Sequence, residues 1–488
     1  MKIQQNIIVA ACLCFEAICG LDAYAQITRY VSLDGGNDAS GGYTNWAGAA
    51  TAIQSAIDAC NHGDVIIVSN GEFKAAGAVV VNINKSVDIR SHMGRGLTII
   101  DGEKSRRCVQ MESNDEEMRP IYLTGFTIRY GLASSGAGIN ADSPCAMTVS
   151  DCLIISNYTA DKGGGVRKTT AYSILTLTNC LIAQNTADVY GGGIYTLTGR
   201  IHVFDCDIIS NESATAGGIY GGTPSYTGII MTVCSSTIQY NKATNGTGGG
   251  IGSLMSAGGF LLVDRCTIAD NQATDRGGGI WTREWPGVTV ISNSVIKNNK
   301  GGGGGGAGLA GPTIMNNCLV SCNTGSVGGG VYVRTYPVEL NNLTIVSNHA
   351  YQVSGGGGGG LFVLNNGQCN LLNCIIYDNS SDAGYVVRSN LYIATGVAFT
   401  NCCTAPLEGN GTTVLGSGNI DDNPQYVYSE DGHFRLAPES PCVNYGITQP
   451  WMRHDLDLIG RSRVDRFSGK VDLGAYEYIP SGMLFNIK

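Results

Sequence analysis

Aromatic side chains recur at one place in a repeated pattern of this sequence, and their type and spacing suit ligand binding. Each lies two positions after a run of glycines, where a short strand is expected to begin. Rings set in a row offer flat apolar faces on which the rings of a sugar chain can pack. The candidate residues for such a glycan-binding surface, with three neighbours that add charge or another ring, are Tyr195, Tyr220, Trp281, Arg283, Trp285, Tyr332, Arg334 and Phe362.

The aromatic position is expected to face solvent. Counting from each glycine run, the first residue faces the core and the second faces outward. Contiguous exposed rings are typical of contact surfaces. A purely structural role is the alternative, because aromatic residues favour strands and stacked rings stabilise neighbouring strands. The residues counted at the outward position are Arg167, Tyr195, Tyr220, Gly252, Trp281, Ala310, Tyr332 and Phe362.

Two clusters of charged residues are candidates for polysaccharide cleavage. A lyase needs Ca²⁺ held by carboxylates and an Arg or Lys that removes a proton, whereas a hydrolase needs two facing carboxylates. Neither cluster matches a signature of such an enzyme, and solvated loop charges are the simpler interpretation. The clusters are Asp161, Lys162, Arg167 and Lys168, and Asp275, Arg276, Arg283 and Glu284.

Metal binding has little support in the sequence. Zinc sites usually contain two cysteines separated by two residues, and no such pair occurs. Two acidic pairs would suit a cation, although a polar cap accounts for them equally well. These pairs are Asp421 with Asp422 and Asp455 with Asp457. No cofactor is therefore expected, apart from Ca²⁺ if the chain is a lyase.

A repeated phrase must position these side chains. It reads Asp or Asn, Cys, any residue, Ile, two more residues and Asn, and a glycine run follows, as in residues 151–166. Copies recur every 24 to 31 residues. This period predicts a solenoid, in which each coil buries its apolar side only against neighbouring coils. The copies end at Asn157, Asn185, Asn211, Asn241, Asn271, Asn299, Asn323, Asn348 and Asn379.

Each position of the phrase has an expected role. Cys and Ile alternate along a strand and face the core. The asparagine ends that strand, because it tolerates a left-handed backbone, and stacked amides can bond from coil to coil. The glycines form a second corner that excludes a Cβ atom. A coil then contains a strand, an Asn turn, a strand, a glycine corner and a strand, which is a parallel β-helix.

The cysteines of the phrase are predicted to be buried, mostly unpaired thiols. Ser236, Ser294 and Leu343 fill the same position in other copies. Stacked coils lie ~4.8 Å apart, whereas the Cβ atoms of a disulfide lie ~3.8 Å apart. If some thiols oxidise, the expected local pairs are Cys318 with Cys322 and Cys369 with Cys374.

The chain divides into four predicted segments: a signal peptide (1–25), an N-terminal cap (26–85), the β-helix (86–405) and a C-terminal cap (406–488). In the N-terminal cap, residues 51–60 are apolar at helical spacing, and residues 64–68 form a short apolar strand. A helix and strand at this place would cover the open end of the solenoid core.

Charge and targeting signals indicate which partners are excluded and where the protein is located. The 488 residues carry a net charge of −9 with no basic stripe, so nucleic acid is not an expected partner. Lys2, an apolar run and Ala23-Tyr24-Ala25 are typical of an export signal. No later apolar run suits a membrane helix. We expect a monomer that is secreted or held at the outer surface of the cell.

Several motifs resemble those of known families. The Ile-x-x-Asn and Gly-Gly-Gly-Ile phrases resemble the repeats of polymorphic outer-membrane proteins and the right-handed β-helix of the pectate-lyase-like superfamily. Residues 30–38 are similar to the opening of bacterial proteins of this kind. Residues 423–426, 431–436, 440–444 and 472–477 resemble the choice-of-anchor region that ends many secreted β-helix proteins. The resemblance implies a right-handed parallel β-helix and export.

Two functions from different classes are consistent with these features. The expected one is an exported, surface-associated, non-catalytic β-helix that binds a polysaccharide or cell-surface glycan, or acts as an adhesin, through the aromatic row. The alternative is a polysaccharide lyase or glycoside hydrolase, which rests on resemblance of fold alone. Two carboxylates and one Arg or Lys converging beside the aromatic row would favour the enzyme.

Overall fold

The computed structural model describes residues 26–479, except 223–227, 285, 354–356, 365–367, 383–388, 394–396, 407, 410–411, 414–415, 429–433 and 467. These residues form a solenoid of stacked coils whose strands pair in parallel from one coil to the next. The all-β class and the parallel solenoid predicted from the repeats are therefore confirmed. The predicted signal peptide lies outside the described residues.

Most coils contain four strands, one more than the repeat pattern predicts. The additional strand lies between the glycine-corner strand and the Cys strand, and it belongs to the longest stack, called sheet 1 here. Sheet 1 consists of Thr28–Val31, Val65–Val68, Asp88–Ser91, Ile121–Thr124, Met147–Ser150, Ile174–Thr178, Arg200–Phe204, Ile230–Cys234, Phe260–Asp264, Val288–Ser292, Thr313–Asn316, Pro337–Asn341, Gln368–Leu372 and Val397–Thr400.

The Cys-x-Ile phrases form the second stack, called sheet 2. Its strands are Gly71–Phe73, Thr98–Asp101, Thr127–Arg129, Leu153–Ile155, Leu181–Ala183, Asp207–Ile209, Thr237–Gln239, Thr267–Ala269, Val295–Lys297, Leu319–Ser321, Thr344–Val346, Ile375–Tyr377 and Cys403–Thr404. The Asx-Cys dipeptide makes the corner between sheets 1 and 2. Its first residue has positive φ in coil after coil, for example Asp151 at 54° and Asn179 at 51°.

Short strands follow the Asn turn and form sheet 3. They are Leu132–Ala133, Tyr158–Thr159, Thr186–Tyr190, Glu212–Thr215, Lys242–Ala243, Gln272–Ala273, Lys300–Gly303, Thr324–Val327, His349–Ala350 and Ser380–Ser381. The strands after the glycine corner form sheet 4. They are Val79–Ile83, Arg107–Met111, Ile139–Ala141, Val166–Lys168, Ile194–Thr196, Ile219–Gly222, Ile251–Leu254, Ile280–Thr282, Ala307–Leu309, Val331–Val333, Leu361–Val363 and Leu391–Ile393.

The asparagines of the phrase stack into a buried amide ladder, as predicted. Asn241 is representative: its Nδ2 donates to Ile208 O at 2.8 Å and to Asn271 Oδ1 at 3.0 Å. Its Oδ1 accepts hydrogen bonds from both the backbone N and Nδ2 of Asn211 at 3.0 Å. The predicted left-handed backbone at these asparagines is wrong, because the residue before each one has the positive φ, as Tyr240 does at 56°.

The apolar core runs along the inside of the coils. Cysteines of the phrase face it as predicted, from Cys152 to Cys374, and Leu343 takes the same place in its coil. All fifteen described cysteines carry free thiols, and only Cys322 among them is exposed. The two predicted local disulfides are therefore not formed in this structure.

The N-terminal segment contributes a helix and the first coils. Helix Ile53–Ala59 inserts Ile53, Ala56 and Ile57 into the main core. Thr28–Val31 and Val65–Val68 pair with each other and extend sheet 1, so regular stacking already begins within residues 26–85. No helix among the described residues is both long and apolar enough to cross a membrane.

The C-terminal segment packs along the side of the solenoid as well as at its end. Ile420 bridges to Cys403 at the last strand of sheet 2. The segment then runs back over sheet 2, where Ala475 and Tyr476 pack on Leu319 and Val346. It contains two short hairpins and a 3-10 turn: Glu408–Gly409 with Thr412–Thr413, Tyr426–Tyr428 with Phe434–Leu436, and Pro450–His454.

A buried guanidinium and several carboxylates lie close together in this segment. Arg463 is fully buried, and its Nη2 lies 3.2 Å from Glu477 Oε1, with Asp457 and Asp472 close by. Burial raises the pKa of Glu477 to about 9, and burial raises the pKa of Asp472 to about 6. Burial outweighs the favourable charge of Arg463, so folding favours the protonated forms of Asp472 and Glu477.

We predict that the C-terminal segment is less stable at pH 8.5 than at pH 5. In the unfolded chain these carboxyls titrate near pH 4, whereas the folded chain holds the protons to about pH 6 and 9. The contribution of these two groups to stability is therefore fully present below pH ~4 and is lost as pH rises through this window. Hydrogen exchange of peptides from 455–478, corrected for the intrinsic pH effect, measures it. Glu477→Gln should weaken the dependence, and equal protection at both pH values would contradict it.

Candidate functional site

The predicted aromatic residues lie in one row on the outer side of sheet 4. Their partners in neighbouring strands follow the same register, so the row continues through every coil of the sheet. The row consists of Asn82, Gln110, Asn140, Arg167, Tyr195, Tyr220, Gly252, Trp281, Gly308, Tyr332, Phe362 and Tyr392. It is polar in its first four coils and aromatic in most of the others.

One predicted member of the row is wrong. Gly308, and not Ala310, pairs with Trp281 and Tyr332. The miscount arose because glycine occupies positions 301–306 and also 308, so the end of the corner is not evident from the sequence. In the structure residues 304–306 make the corner, and Ala307 is the first residue after it. Only glycine suits this position, since a Cβ atom on Gly308 would lie 2.5 Å from Cε3 of Trp281.

The rings are buried, which contradicts the predicted exposure. Relative exposure is 4% for Tyr195, 6% for Tyr220, 3% for Trp281, 7% for Tyr332 and 5% for Phe362. These side chains project outward from the coil, because the residues before them occupy the main core. Something outside the coil must therefore cover them, and neighbouring rings and the strands of sheet 3 do so.

The corner between sheets 3 and 4 is concave on its outer side. The side chain of Tyr190 projects outward from sheet 3. Its ring centroid nevertheless lies 4.7 Å from that of Tyr220 and 6.5 Å from that of Tyr195, both on sheet 4. Outward side chains of two strands converge only if the outer angle between the strands is smaller than 180°. The stacked corners thus form a groove, parallel to the solenoid axis, and the rings line its floor.

Two ring clusters occupy the groove. The first ring cluster is Tyr190, Tyr195 and Tyr220, with Tyr195 and Tyr220 stacked at 5.5 Å. The second ring cluster consists of Trp281, Tyr332, Phe362 and Tyr392, with centroids 5.6 Å apart for Tyr332 and Phe362 and 4.5 Å apart for Phe362 and Tyr392. Gly252 separates the two clusters in the row. Burial raises the pKa of both Tyr220 and Tyr332, so these phenols stay neutral.

Cations from the rim of sheet 3 lie over the rings. Lys162 Nζ is 6.0 Å from the ring centroid of Tyr190 and 5.8 Å from that of Tyr195. Arg276 lies 5.4 Å from the ring of Trp281. Such placements favour a cation on an aromatic face. Each cation also has an acidic neighbour, since Asp161 is 3.6 Å from Lys162 and Asp275 is 3.7 Å from Arg276.

The opposite rim carries the predicted arginines. Arg334 Nη1 lies 2.6 Å from Glu284 Oε1, and both side chains are partly exposed. Arg283 is exposed, and its backbone N donates to Ser253 O in the preceding coil. Trp285, the remaining candidate, lies outside the described residues. The structure therefore places Arg334 near Tyr332 of the second ring cluster and Arg283 near Tyr220 of the first.

The polar end of the row gathers two arginines and one acid. Arg167 Nη1 donates to Asn140 Oδ1 at 2.7 Å and to Asp142 Oδ2 at 2.8 Å. Although burial alone would raise the pKa of Asp142, bonds from Thr169 and Arg167 lower it overall. Burial, with the nearby charge of Arg167, lowers the pKa of Arg107. Arg107 nevertheless donates to the carbonyls of residues 135 and 136 and to Gln110, and these bonds favour the charged guanidinium.

Neither predicted catalytic cluster is assembled. Lys168 faces the interior, where its Nζ donates to Thr170 O at 2.7 Å and Thr198 O at 2.9 Å, and burial lowers its pKa to about 8. It is therefore on the opposite side of the strand from Arg167. In the second cluster, Glu284 pairs with Arg334 rather than with Arg276 or Arg283.

No group of three or more His, Cys, Asp or Glu residues suitable for a metal ion occurs in the described ranges. Of the acidic pairs noted in the sequence, Asp421 and Asp422 are exposed. Asp457 is buried and accepts hydrogen bonds from the backbone N atoms of Ile459 and Glu477, which fits a role in the C-terminal fold.

Sequence reasoning missed two rings of the groove. Tyr190 precedes its glycine corner and reaches the row from sheet 3, so a count forward from the glycines passes over it. Tyr392 follows Ser389 and Asn390, which replace the glycines of that coil, so no glycine run marks it. Both rings are only half-buried and are the most accessible aromatic groups of the two clusters.

Comparison with known proteins agrees with this architecture. The family described as the right handed beta helix region matches residues 107–284 and 224–420, which together span well over half of the chain. The crystal structure of pectate lyase Pel9A aligns over 93% of this chain and 97% of that chain, with 14% sequence identity and a TM-score of 0.37. No curated protein matches the sequence. The family match confirms the predicted handedness, and the chain belongs to the right-handed β-helix family.

Proposed function

We propose that this protein binds an extended polysaccharide or cell-surface glycan along the groove between sheets 3 and 4, and that it does so without cleaving it. The observation that carries this proposal is the concave corner itself, whose floor consists of buried rings with Tyr190 and Tyr392 partly exposed, and whose rims carry cations. Ligand sites are typically concave and largely apolar, with a few placed polar groups that fix orientation.

The dimensions of the groove suit a polymer. Coils are stacked ~4.8 Å apart, so the aromatic part of the row, eight coils from Tyr195 to Tyr392, rises ~34 Å. The rings form the floor, and the partly exposed edges of Tyr190 and Tyr392 are the accessible apolar contacts. Arg283, Arg334 and Lys162 at the rims would donate hydrogen bonds to hydroxyl oxygens of a sugar chain.

Pairing of the groove carboxylates supports binding without cleavage. Asp142 pairs with Arg167, and Glu284 pairs with Arg334. A general acid must hold a proton near neutral pH, whereas the pKa of Asp142 is lowered. The export signal expected in residues 1–25 would deliver the protein to the cell surface or medium, where such polymers occur, and there we propose that it acts as a monomer.

Affinity electrophoresis through gels containing neutral or acidic polysaccharides tests the proposal. The chain from residue 26 should be retarded by at least one of xyloglucan, galactomannan, polygalacturonate and alginate. Incubation with the acidic polymers should give no unsaturated product by ultraviolet absorbance. Retardation by none of them would contradict the binding claim, and product formation would contradict only the non-catalytic claim.

Replacing Arg283 and Arg334, the two arginines at the rim beside sheet 4, should weaken polysaccharide binding about tenfold or more. Loss of one or two charge-assisted hydrogen bonds at ~1.5 kcal/mol each has this effect, since ~1.4 kcal/mol is tenfold in affinity. The variant is Arg283→Ala/Arg334→Ala, because both side chains are accessible and their removal spares the core. Arg265→Ala is the matched control: it is a surface arginine, paired with Asp264 at 3.0 Å, outside the groove. Equal loss in both variants would contradict a groove-specific role.

A further inference from the structure

The most exposed tryptophan among the described residues and an exposed tyrosine lie on a different face, at the N-terminal end of sheet 1. Trp46 is 40% exposed and Tyr122 is 39% exposed, in contrast to the buried rings of the groove. Tyr122 is the outward residue of its strand, because its neighbours Ile121 and Leu123 are fully buried. Single exposed rings are common on protein surfaces, whereas exposed rings that belong to one continuous surface are typical of contact sites.

Trp46 is held in place by two other rings. Its centroid lies 4.6 Å from that of Tyr30 and 5.4 Å from that of His92, and the planes are tilted by 54° and 58°. Tyr30 alternates with the buried Arg29 and Val31, so it points outward from sheet 1. Tilted contacts fix the indole without covering it with a parallel ring, and a face of Trp46 remains accessible.

A polar strip connects the two exposed rings. Asp88, Arg90 and His92 alternate with Ile89 and Ser91, so these three side chains project from the same side of the chain. Arg90 Nε donates to Asp88 Oδ1 at 2.8 Å, which makes a locally neutral pair with remaining donor and acceptor capacity. Asp88 is in register with Tyr122 in the next coil, and His92 contacts Trp46.

The strip has the length of several sugar units rather than one. His92 lies four positions after Asp88, which corresponds to ~13 Å along a strand. Aromatic faces at both ends and a neutral donor–acceptor pair between them match the alternation of apolar ring faces and hydroxyl groups in a sugar chain. No basic excess is present to favour an anionic ligand, because Asp88 neutralises Arg90.

We propose that this face, bounded by Trp46 and Tyr122 and crossed by Asp88, Arg90 and His92, is a binding site for an uncharged oligosaccharide. It is separate from the groove, which lies between sheets 3 and 4, and it does not depend on the groove having a ligand. The ring of the sugar stacks on Trp46, and the Asp88–Arg90 pair binds its hydroxyl groups.

Isothermal titration with cellohexaose, xylohexaose and mannohexaose tests the proposal. At least one hexasaccharide should bind the chain from residue 26 and should change the fluorescence of Trp46. Trp46→Ala and Tyr122→Ala should each weaken binding about tenfold or more, as expected for loss of a stacking face. Circular dichroism verifies that both variants fold, which is expected because both side chains are partly exposed.

Two control variants show whether the sugar binds at this face. Tyr172→Ala removes a tyrosine that is 97% exposed elsewhere and should leave binding unchanged. Arg265→Ala removes a surface arginine outside both this face and the groove and should also leave binding unchanged. Absence of binding for all three sugars at millimolar concentration, binding that survives Trp46→Ala, or equal loss in a control variant would overturn the proposal. Concentration-dependent dimers that Trp46→Ala abolishes would instead assign this face to a second copy of the chain.

Discussion

Replacing Asn241 by alanine should lower the free energy of unfolding by about 3–5 kcal/mol. The side chain is fully buried, and the change removes four hydrogen bonds, two donated and two accepted. It leaves the carbonyl of Ile208 and the backbone N–H of Asn211 without these partners inside the protein, and each unsatisfied buried group costs about 1–3 kcal/mol. The loss should therefore exceed that of an ordinary surface change several-fold.

Urea denaturation followed by circular dichroism measures this effect. Asn245→Ala is the matched control, because Asn245 lies four residues away on the surface. A change within about 0.5 kcal/mol is expected there. If both variants unfolded at the same urea concentration, the amide ladder would be a consequence of stacking and not a source of stability.

Replacing Gly278 by alanine should be at least as damaging, with a loss of more than about 3 kcal/mol or no soluble protein. A Cβ atom at this corner would lie 2.5 Å from the carbonyl oxygen of Gly305 and 2.5 Å from the backbone of Lys300. Both contacts are with backbone atoms of the next coil, which cannot rotate away as a flexible side chain can. The coils would have to separate, and their parallel hydrogen bonds would be lost with them.

Gly96→Ala is the control for this corner. A Cβ atom at Gly96 would meet no atom within 4 Å, and the variant should be soluble and close to the parent in stability. The soluble yield and the urea midpoint of Gly278→Ala and Gly96→Ala test this prediction. A Gly278→Ala variant that unfolds at the parent's urea midpoint would contradict the close stacking of the glycine corners.

Much of the fold follows from the repeated phrase. The period predicted a parallel solenoid, the variation among Cys152, Ser236 and Leu343 predicted an inward position, and the stacked asparagines predicted the amide ladder. These features depend on short-range alternation and on identical neighbours one coil away, which a single sequence contains.

The same reasoning wrongly predicted that the aromatic row is exposed to solvent. Alternation correctly assigned Tyr195 and Trp281 to the outer side of the strand, but it contains no information on the angle between adjacent strands. The concave corner between sheets 3 and 4 buries rings that a flat sheet would expose. The same corner brings Tyr190 into the row from another strand, which no count along one strand can show.

The packing of the C-terminal segment against the coils could not be predicted from the sequence either. Its contacts join residues more than a hundred positions apart, such as Asn317 with Leu456 and Thr344 with Ala475. No periodic signal connects these partners. The buried Arg463–Glu477 pair likewise depends on the tertiary fold, because neither residue lies in a repeated pattern.

Carbene footprinting of the protein with and without its best polysaccharide tests binding in the groove most directly, because it labels whatever side chains remain accessible. We predict that the polysaccharide masks peptides containing Tyr190, Arg283 and Arg334, while those containing the exposed Tyr172 and Tyr240 are labelled as before. Unchanged labelling of the groove peptides at a polysaccharide concentration that saturates binding would contradict a glycan-binding groove.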